Sequence, residues 1–554
     1  MKFILSLLLV AAVMLTGCTL GKSTSATDGK EIILPIDNTA EVMDKVVIVG
    51  YEENYRQDAI SLMRLIDPNA RIRTDIPAVK AISFQTGADL SSIKMALRAQ
   101  FDADQTLKDK IRYIEPSYKR YQVEPVKNNA AMAKNGVSTT DDYYEQYQWG
   151  MRKINAEAAW SAGYTGTGVT VAVVDTGIDG THFDLLDQTV EGYRPYYDEV
   201  IEPGEDSSYG GAHGTHVAGI IAARDNNLGV KGVAPGAKLM PIVIFDEFGY
   251  VGDDYVSDGL VWAAEHGALV YNNSWGGKGY SFLLADTLAF IRYFYSAIIV
   301  ASSGNSHTDE IHYPSCYPGV INVAATDPQD KVTDFSTRGQ WVTVAAPGDY
   351  FILSTVPYWD TGEFFDGVHP FAFYGGTSMA TPHVTGTIAL VLEKLGISSP
   401  VDGLLPESAN LSYMKYQVEP SPAYTSYQIR KLIAGTADDI MATGFDKDSG
   451  WGRVNAGRAV QAALPADEGA DLFISSDSGY TYVSLYPEAS NVPVYYGKAD
   501  DNGQIHIIGI EPGEYTVYAG SGDAWYTGVA VESGVGMNVD ISLSNGDKQI
   551  ELNF

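Results

Sequence analysis

The stretch Gly376-Thr377-Ser378-Met379-Ala380-Thr381-Pro382-His383-Val384 decides the reading of this chain. A glycine turn delivers one serine to the start of a helix. Residues 378–395 are apolar on most sides, with Val384, Ile388, Val391, Leu392 and Leu395 at helical spacing, so the helix is expected in the middle of a core. Pro382 is expected within its first turn, where a missing N–H costs little. Ser378 would then sit at the positive end of a rigid helix, a good place for a nucleophile. Taken alone, an N-cap serine explains the stretch better. The two readings separate on whether the chain also supplies a base, an orienting acid and an oxyanion donor.

Around this helix, strands and helices alternate. Residues 169–174 (Val-Thr-Val-Ala-Val-Val) form a continuous apolar strand, as in a parallel sheet covered on both faces. Further strands are expected at 238–245, 268–272, 297–301, 320–325 and 342–345, and helices at 216–224, 256–266 and 283–295. This pattern predicts a doubly wound, three-layer α/β domain over 141–464, with a mainly parallel sheet and ligands at the carboxyl ends of its strands.

Three such strand ends carry chemistry. The first strand runs into Asp175-Thr176-Gly177-Ile178-Asp179, where Asp175 is either a site acid or a turn aspartate. His213-Gly214-Thr215-His216-Val217-Ala218-Gly219 opens a helix. His213 reads as a base and His216 as a packed residue; the competing reading is a metal pair, which lacks a third ligand cluster. Val300-Ala301-Ser302-Ser303-Gly304-Asn305 ends on a side-chain amide able to donate to an oxyanion.

Asp175, His213 and Ser378 follow one another in the order Asp…His…Ser, the chain order of subtilisin. With the blocks VVDTGID, HGTHVAG and GTSMATPHV, the region 141–464 resembles the subtilisin family of serine peptidases. The resemblance implies that Ser378 attacks, His213 moves the proton, Asp175 orients His213, and Asn305 holds the oxyanion with the Ser378 N–H. Activity should then fall as acid protonates His213. The resemblance also implies an extended peptide substrate, paired with Ser274, Trp275 and Gly276, facing Ser303 and Gly304, with His312 near the floor of the pocket before the cut. A structural Ca²⁺ site is implied at Asp141, Asp184 and the loop 224–230, through the Asn226 side chain and the carbonyls of Arg224, Leu228 and Val230. Two rivals stand beside this reading: a catalytically silent binding protein with the same fold, and a metal-dependent hydrolase built on His213 and His216.

The flanks add a life history. Residues 1–18 pair Lys2 with a short apolar run and end in Leu15-Thr16-Gly17-Cys18, which resembles a bacterial lipobox with Cys18 as the lipidated residue. Residues 19–45 read as a tether. Residues 46–124 alternate strand, helix, strand, helix, strand, closing at 111–116, and resemble the family's inhibitory pro-domain; 125–140 read as a linker. Residues 466–554 alternate strongly without a helical run and read as an antiparallel β-sandwich, resembling the regulatory-type sandwiches of carboxypeptidases through Asn502-Gly503-Gln504-Ile505-His506-Ile507 and Glu511-Pro512-Gly513-Glu514-Tyr515. Its role as a spacer, glycan binder or protein binder is open, as is that of the insertion 398–425.

Composition fits a soluble extracytoplasmic protein, and the resemblance of 46–124 to a pro-domain implies an enzyme made as a zymogen. Over 554 residues, 37 Lys and Arg face 69 Asp and Glu, and the net charge of −32 speaks against nucleic acid and anionic membranes as partners. With only Cys18 and Cys316 there is no disulfide framework, and Cys316 reads as a small buried residue. The expected partners are peptide substrates and the chain's own pro-domain. The expected form is a monomer, touching membrane only through the lipid, with release to the medium after the pro-domain is cut.

Overall fold

The computed structural model describes residues 40–123, 125, 147–360, 370–399 and 426–465, apart from single positions, and seven strands between 470 and 553. Cys18, Asp141, most of the linker and residues 400–425 lie outside the described residues.

The N-terminal unit runs β1 (Val42–Tyr51), α1 (Arg56–Ile66), β2 (Arg71–Ile76), β3 (Ala81–Gln85), α2 (Leu90–Ala103) and β4 (Ile111–Gln122). Its strands form an antiparallel sheet in the order β4-β1-β3-β2. Strand alternation gives the sheet two apolar faces. Val47, Val49, Ile82, Phe84 and Ile114 pack on Ile60, Met63, Ile93, Leu97 and Phe101 of the unit's own helices. Ile48, Ile76, Ala81 and Tyr113 face the other way and join a second core with Val256, Leu260, Leu283 and Leu284. The sequence pattern ended the last strand at 116; β4 instead runs on to Gln122. Residues 117–122 are polar and show no apolar alternation, because what pairs with them comes from elsewhere in the chain.

The next strands are β5 (Thr170–Asp175), β6 (Gly192–Arg194), β7 (Glu199–Ile201), β8 (Lys238–Val243), β9 (Tyr250–Gly252), β10 (Val270–Asn273), β11 (Trp275–Gly276), β12 (Ile298–Ser302), β13 (Ile321–Thr326) and β14 (Val344–Pro347). Eight form one sheet, ordered β14-β13-β12-β10-β5-β8-β6-β7, parallel except for the β6–β7 hairpin. This is the expected α/β class. Among the helices that flank the sheet are α3 (His213–Ala222), α4 (Asp253–Glu265), α5 (Phe282–Phe294) and α6 (Thr377–Lys394). Val171 and Val173 of β5 pack with Val217, Ile221, Val384 and Ile388 of α3 and α6. Ala172 and Val174 pack with residues of α4 and α5. Both faces are covered, which is why the strand reads as an unbroken apolar run.

Helix α3 starts at His213 rather than 216, and α4 at Asp253 rather than 256, because each first turn is polar or glycine-rich and escapes an apolar periodicity. Pro382 needs a correction. It lies beyond the first turn of α6, where an ordinary residue would donate to the carbonyl four residues back, on Ser378. That carbonyl instead accepts a hydrogen bond from Ser274 Oγ at 3.0 Å.

The C-terminal strands form one sheet of three, with Ala470–Ser475 in the middle, and one of four. The pairing is antiparallel, as the sequence led one to expect, with one exception: Ala470–Ser475 pairs parallel with the last strand, Ile550–Asn553.

Candidate active site

Three chain segments meet at the carboxyl edge of the large sheet. Asp175 ends β5 and is fully buried. His213 opens α3, with Nδ1 2.8 Å from Asp175 Oδ1 and 3.0 Å from Oδ2. Thr176 ties the two elements together, since Gly214 N donates to its Oγ1 at 2.9 Å. Ser378 is the second residue of α6, behind Gly376 at φ +147°, where a side chain would crowd the Asn305 amide at 3.1 Å. Asn305 is aimed by the same turn: its Oδ1 accepts from Thr377 N at 3.0 Å and from Thr377 Oγ1 at 2.9 Å. Its amide nitrogen is thereby the half turned away from Thr377.

His213 Nε2 is buried without a hydrogen-bond partner among the described residues. The Ser378 hydroxyl points elsewhere: it lies 2.9 Å from the carbonyl oxygen of Val123 and 3.3 Å from that of Ser274. Val123 follows directly on β4, and β4 accounts for its position. Lys119, Arg120 and Tyr121 pair antiparallel with Gly252, Val251 and Tyr250 of β9; Tyr121 and Gln122 pair with Gly276 and Trp275 of β11. Val123 N reaches Ser274 O at 3.4 Å. The end of β4 is thus the central strand of a three-stranded ribbon leading to Ser378.

Of the residues proposed for peptide contacts, Ser274, Trp275 and Gly276 border this ribbon, and His312 packs on Gly276. Trp275 and Gly276 pair with it, and Ser274 bridges its end to α6. His312 is packed so tightly on Gly276 that a Cβ there would lie 2.1 Å from its Cε1, and Gly304 lies on its other side. Burial holds the His312 imidazole down at about 4, so the ring is neutral. Ser303 is buried beside Ser336. Sequence reasoning missed β9 and Asp253; the only local signal was the glycine-flanked Gly249-Tyr250-Val251-Gly252 before a pair of aspartates.

His216 lies apart from this chemistry. Its ring stacks on Tyr374, its Nε2 meets the carbonyls of Ile352 and Ala372 at 3.1 Å, and burial lowers it to about 3. It is a packed neutral residue, and no group of three His, Cys, Asp or Glu side chains gathers among the described residues.

Five of the six proposed calcium ligands meet at one loop. Asp184 Oδ1 accepts from Asn226 Nδ2 at 3.0 Å, and Oδ2 from Val230 N at 2.8 Å; Arg224 N donates to the Asp184 carbonyl at 2.9 Å, and Leu228 N to Asn226 Oδ1 at 2.9 Å. Gly229, at φ +48°, lets the loop close on the acid, for a Cβ would lie 2.1 Å from Asp184 Oδ2. Burial pushes Asp184 up to about 7, and it makes no ion pair among the described residues. Both Asp184 oxygens face N–H donors and Asn226 Oδ1 faces Leu228 N, so of the features a hard cation needs the loop shows the buried acid.

Comparison with known proteins agrees with this architecture. The subtilase family (Peptidase_S8) matches residues 166–452. The chain belongs to the subtilase family. Fervidolysin of Fervidobacterium pennivorans is 37% identical over 543 residues, covering 92% of this chain and 72% of that protein. Thermitase of Thermoactinomyces vulgaris is 35% identical over 324 residues, 58% of this chain and 98% of thermitase. The crystal structure of fervidolysin, described as a keratinolytic enzyme related to subtilisin, superposes with a TM-score of 0.74 at 33% identity, over 96% of this chain and 81% of that one. Like these relatives, this subtilase is a serine endopeptidase.

Proposed function

We propose that the chain is a zymogen whose Asp175–His213–Ser378 triad cuts its own Val123–Glu124 bond, and that residues 46–123 then act as its inhibitor. The observation that carries this reading is the Val123 carbonyl, held 2.9 Å from Ser378 Oγ at the end of a strand threaded between β9 and β11. Ser378 Oγ turns from that oxygen to His213 Nε2, gives up its proton there and attacks the Val123 carbonyl carbon. Asp175, on Nδ1, stabilises the imidazolium. The oxyanion is met by the Asn305 amide and the Ser378 N–H. The C–N bond breaks, His213 returns the proton to the Glu124 amine, and water releases the Val123 acyl group. With His312 filling the space beside Gly276, a small residue such as valine is favoured before the cut.

Further features of the chain join this reading. Ca²⁺ bound by Asp184, Asn226 and the carbonyls of Arg224, Leu228 and Val230, with Asp141, would stabilise the folded form by neutralising the buried acid. The leader ending at Cys18 supports export as a lipoprotein, held at the cell envelope until the cut frees the catalytic domain. The enzyme acts as a monomer on peptide substrates, and residues 466–554 serve as a spacer.

N-terminal sequencing of active protein tests the cut, with fluorophosphonate labelling for the nucleophile. The expected product begins at Glu124 and carries its adduct on Ser378. A different N-terminus refutes the cut, and no adduct after loss of the pro-domain supports the silent binding protein. Labelling with a radioactive fatty acid should mark the uncut chain and not the released enzyme.

A further inference from the structure

Counting back from Val123, Arg120 is the fourth residue before the cut. Lys119, Tyr121 and Gln122 keep partial exposure, whereas Arg120 is wholly buried. Its guanidinium meets acceptors of the catalytic side, with the Tyr118 ring 5.7 Å from its Cζ. Nε donates to Asp253 Oδ1 at 2.6 Å and Nη2 to Oδ2 at 3.0 Å, a two-pronged pair. Nη1 donates to the Lys278 carbonyl at 2.8 Å and Nη2 to that of Gly279 at 2.9 Å. Asp253 is also fully buried and is the first residue of α4. Every acceptor in this set belongs to the catalytic side, so the set outlasts the departure of the tail.

We infer that Asp253, with the Lys278 and Gly279 carbonyls, makes the mature enzyme select substrates with arginine four residues before the scissile bond. The inference rests on the proposed reading of the β4 tail as a cleft-bound peptide. An apolar side chain in this pocket would leave two carbonyls without donors and Asp253 with only the backbone N–H two residues upstream, which Tyr118 supplies here at 3.2 Å, and an acidic one would add repulsion. Lysine brings charge without the planar fork and satisfies fewer acceptors. The order of preference is therefore arginine, lysine, alanine, glutamate. The selected class is basic, extended peptides, which suits an enzyme whose surface is strongly acidic.

The test uses the full chain after it has processed itself. A proteome-derived peptide library, prepared with a glutamate-specific protease so that arginines survive, is digested and every new cut mapped by mass spectrometry. Arginine should be enriched at the fourth position before the cut. Matched peptides differing only there should show kcat/KM about tenfold to a hundredfold higher for arginine than for alanine. Asp253→Asn should abolish that ratio, and if the variant fails to mature, the wild-type library still decides the matter. Abundant cuts with no preference at that position overturn this inference and leave the endopeptidase reading standing. A chain that makes no cuts in any peptide overturns the proposed function, and this inference with it.

Discussion

The two halves of β4 are held in different ways. Up to Ser117 the strand belongs to a layer. Ile114 packs on the unit's own helices and Tyr113 on the second core, and charged neighbours fit the ends and edges of α4 and α5. Arg112 pairs with Asp286 at 2.7 Å, Arg73 Nε with Asp254 at 2.9 Å, and Glu115 accepts from Ser281 Oγ, Phe282 N and Leu283 N at 2.9–3.0 Å. From Lys119 onward the strand belongs to a groove. Its backbone pairs on both edges, and Arg120 fills a pocket. The first half is held by apolar area together with these polar contacts, which the proposed cut would leave untouched. The second half is recognised as a peptide, and only it presents a carbonyl to Ser378. On the proposed cut, one strand would join a durable contact to a consumable one.

The difference can be broken outright by removing the nucleophile. Ser378→Ala should lower peptidase activity by about 10⁶-fold and leave the chain whole by intact mass, so both halves remain a single bound strand. Asn305→Ala should touch only the groove half. It is expected to cut kcat by about 10²–10³-fold, read from steady-state kinetics after active-site titration.

The layer half should answer to pH. Burial, with a smaller push from Asp253, raises Glu115 from the ordinary 4.5 to about 8. The docked pro-domain then holds a proton that the free one has lost. Docking is therefore firmest below about pH 4.5 and weakens as pH rises toward 8, by up to about tenfold in affinity per pH unit. Inhibition of mature enzyme by released pro-domain, measured from pH 5 to 9, checks the slope, and Glu115→Gln should flatten it. Chelation should touch neither half. Stripping a structural cation at Asp184 is expected to lower Tm by a few degrees, at about 2–4 °C per kcal/mol for a domain of this size; calorimetry with and without EDTA decides this, and an unchanged Tm removes the calcium reading.

Much of the fold was legible because apolar pattern and position agree. The buried strand before Asp175 reads as a parallel strand since both of its faces are covered, and α6 reads as central since nearly all of it is buried. The three motif blocks named Asp175, His213 and Ser378, and the strand end at 300–305 named Asn305. The tail of β4 was illegible for the opposite reason. Tyr118-Lys119-Arg120-Tyr121-Gln122 looks like solvated surface, because a buried arginine makes sense only beside its carboxylate, and Asp253 lies far along the chain. Pro382 failed in a similar way. Counting placed it in the first turn, and only the Ser274 hydroxyl shows what use its missing N–H has.

That continuous strand has a consequence for timing. While the Val123–Glu124 bond is intact, the ribbon between β9 and β11 has no loose end, and leaving the groove requires its backbone pairs to part together. A severed strand has a terminus at Val123. It can fray inward one pair at a time, first from Ser274, then from Trp275, until Arg120 is the last grip. On the proposed cut, the chemical step would change the route of escape from a concerted lift to a zipper, and the rate at which Arg120 leaves Asp253 would be the clock for the first free active site.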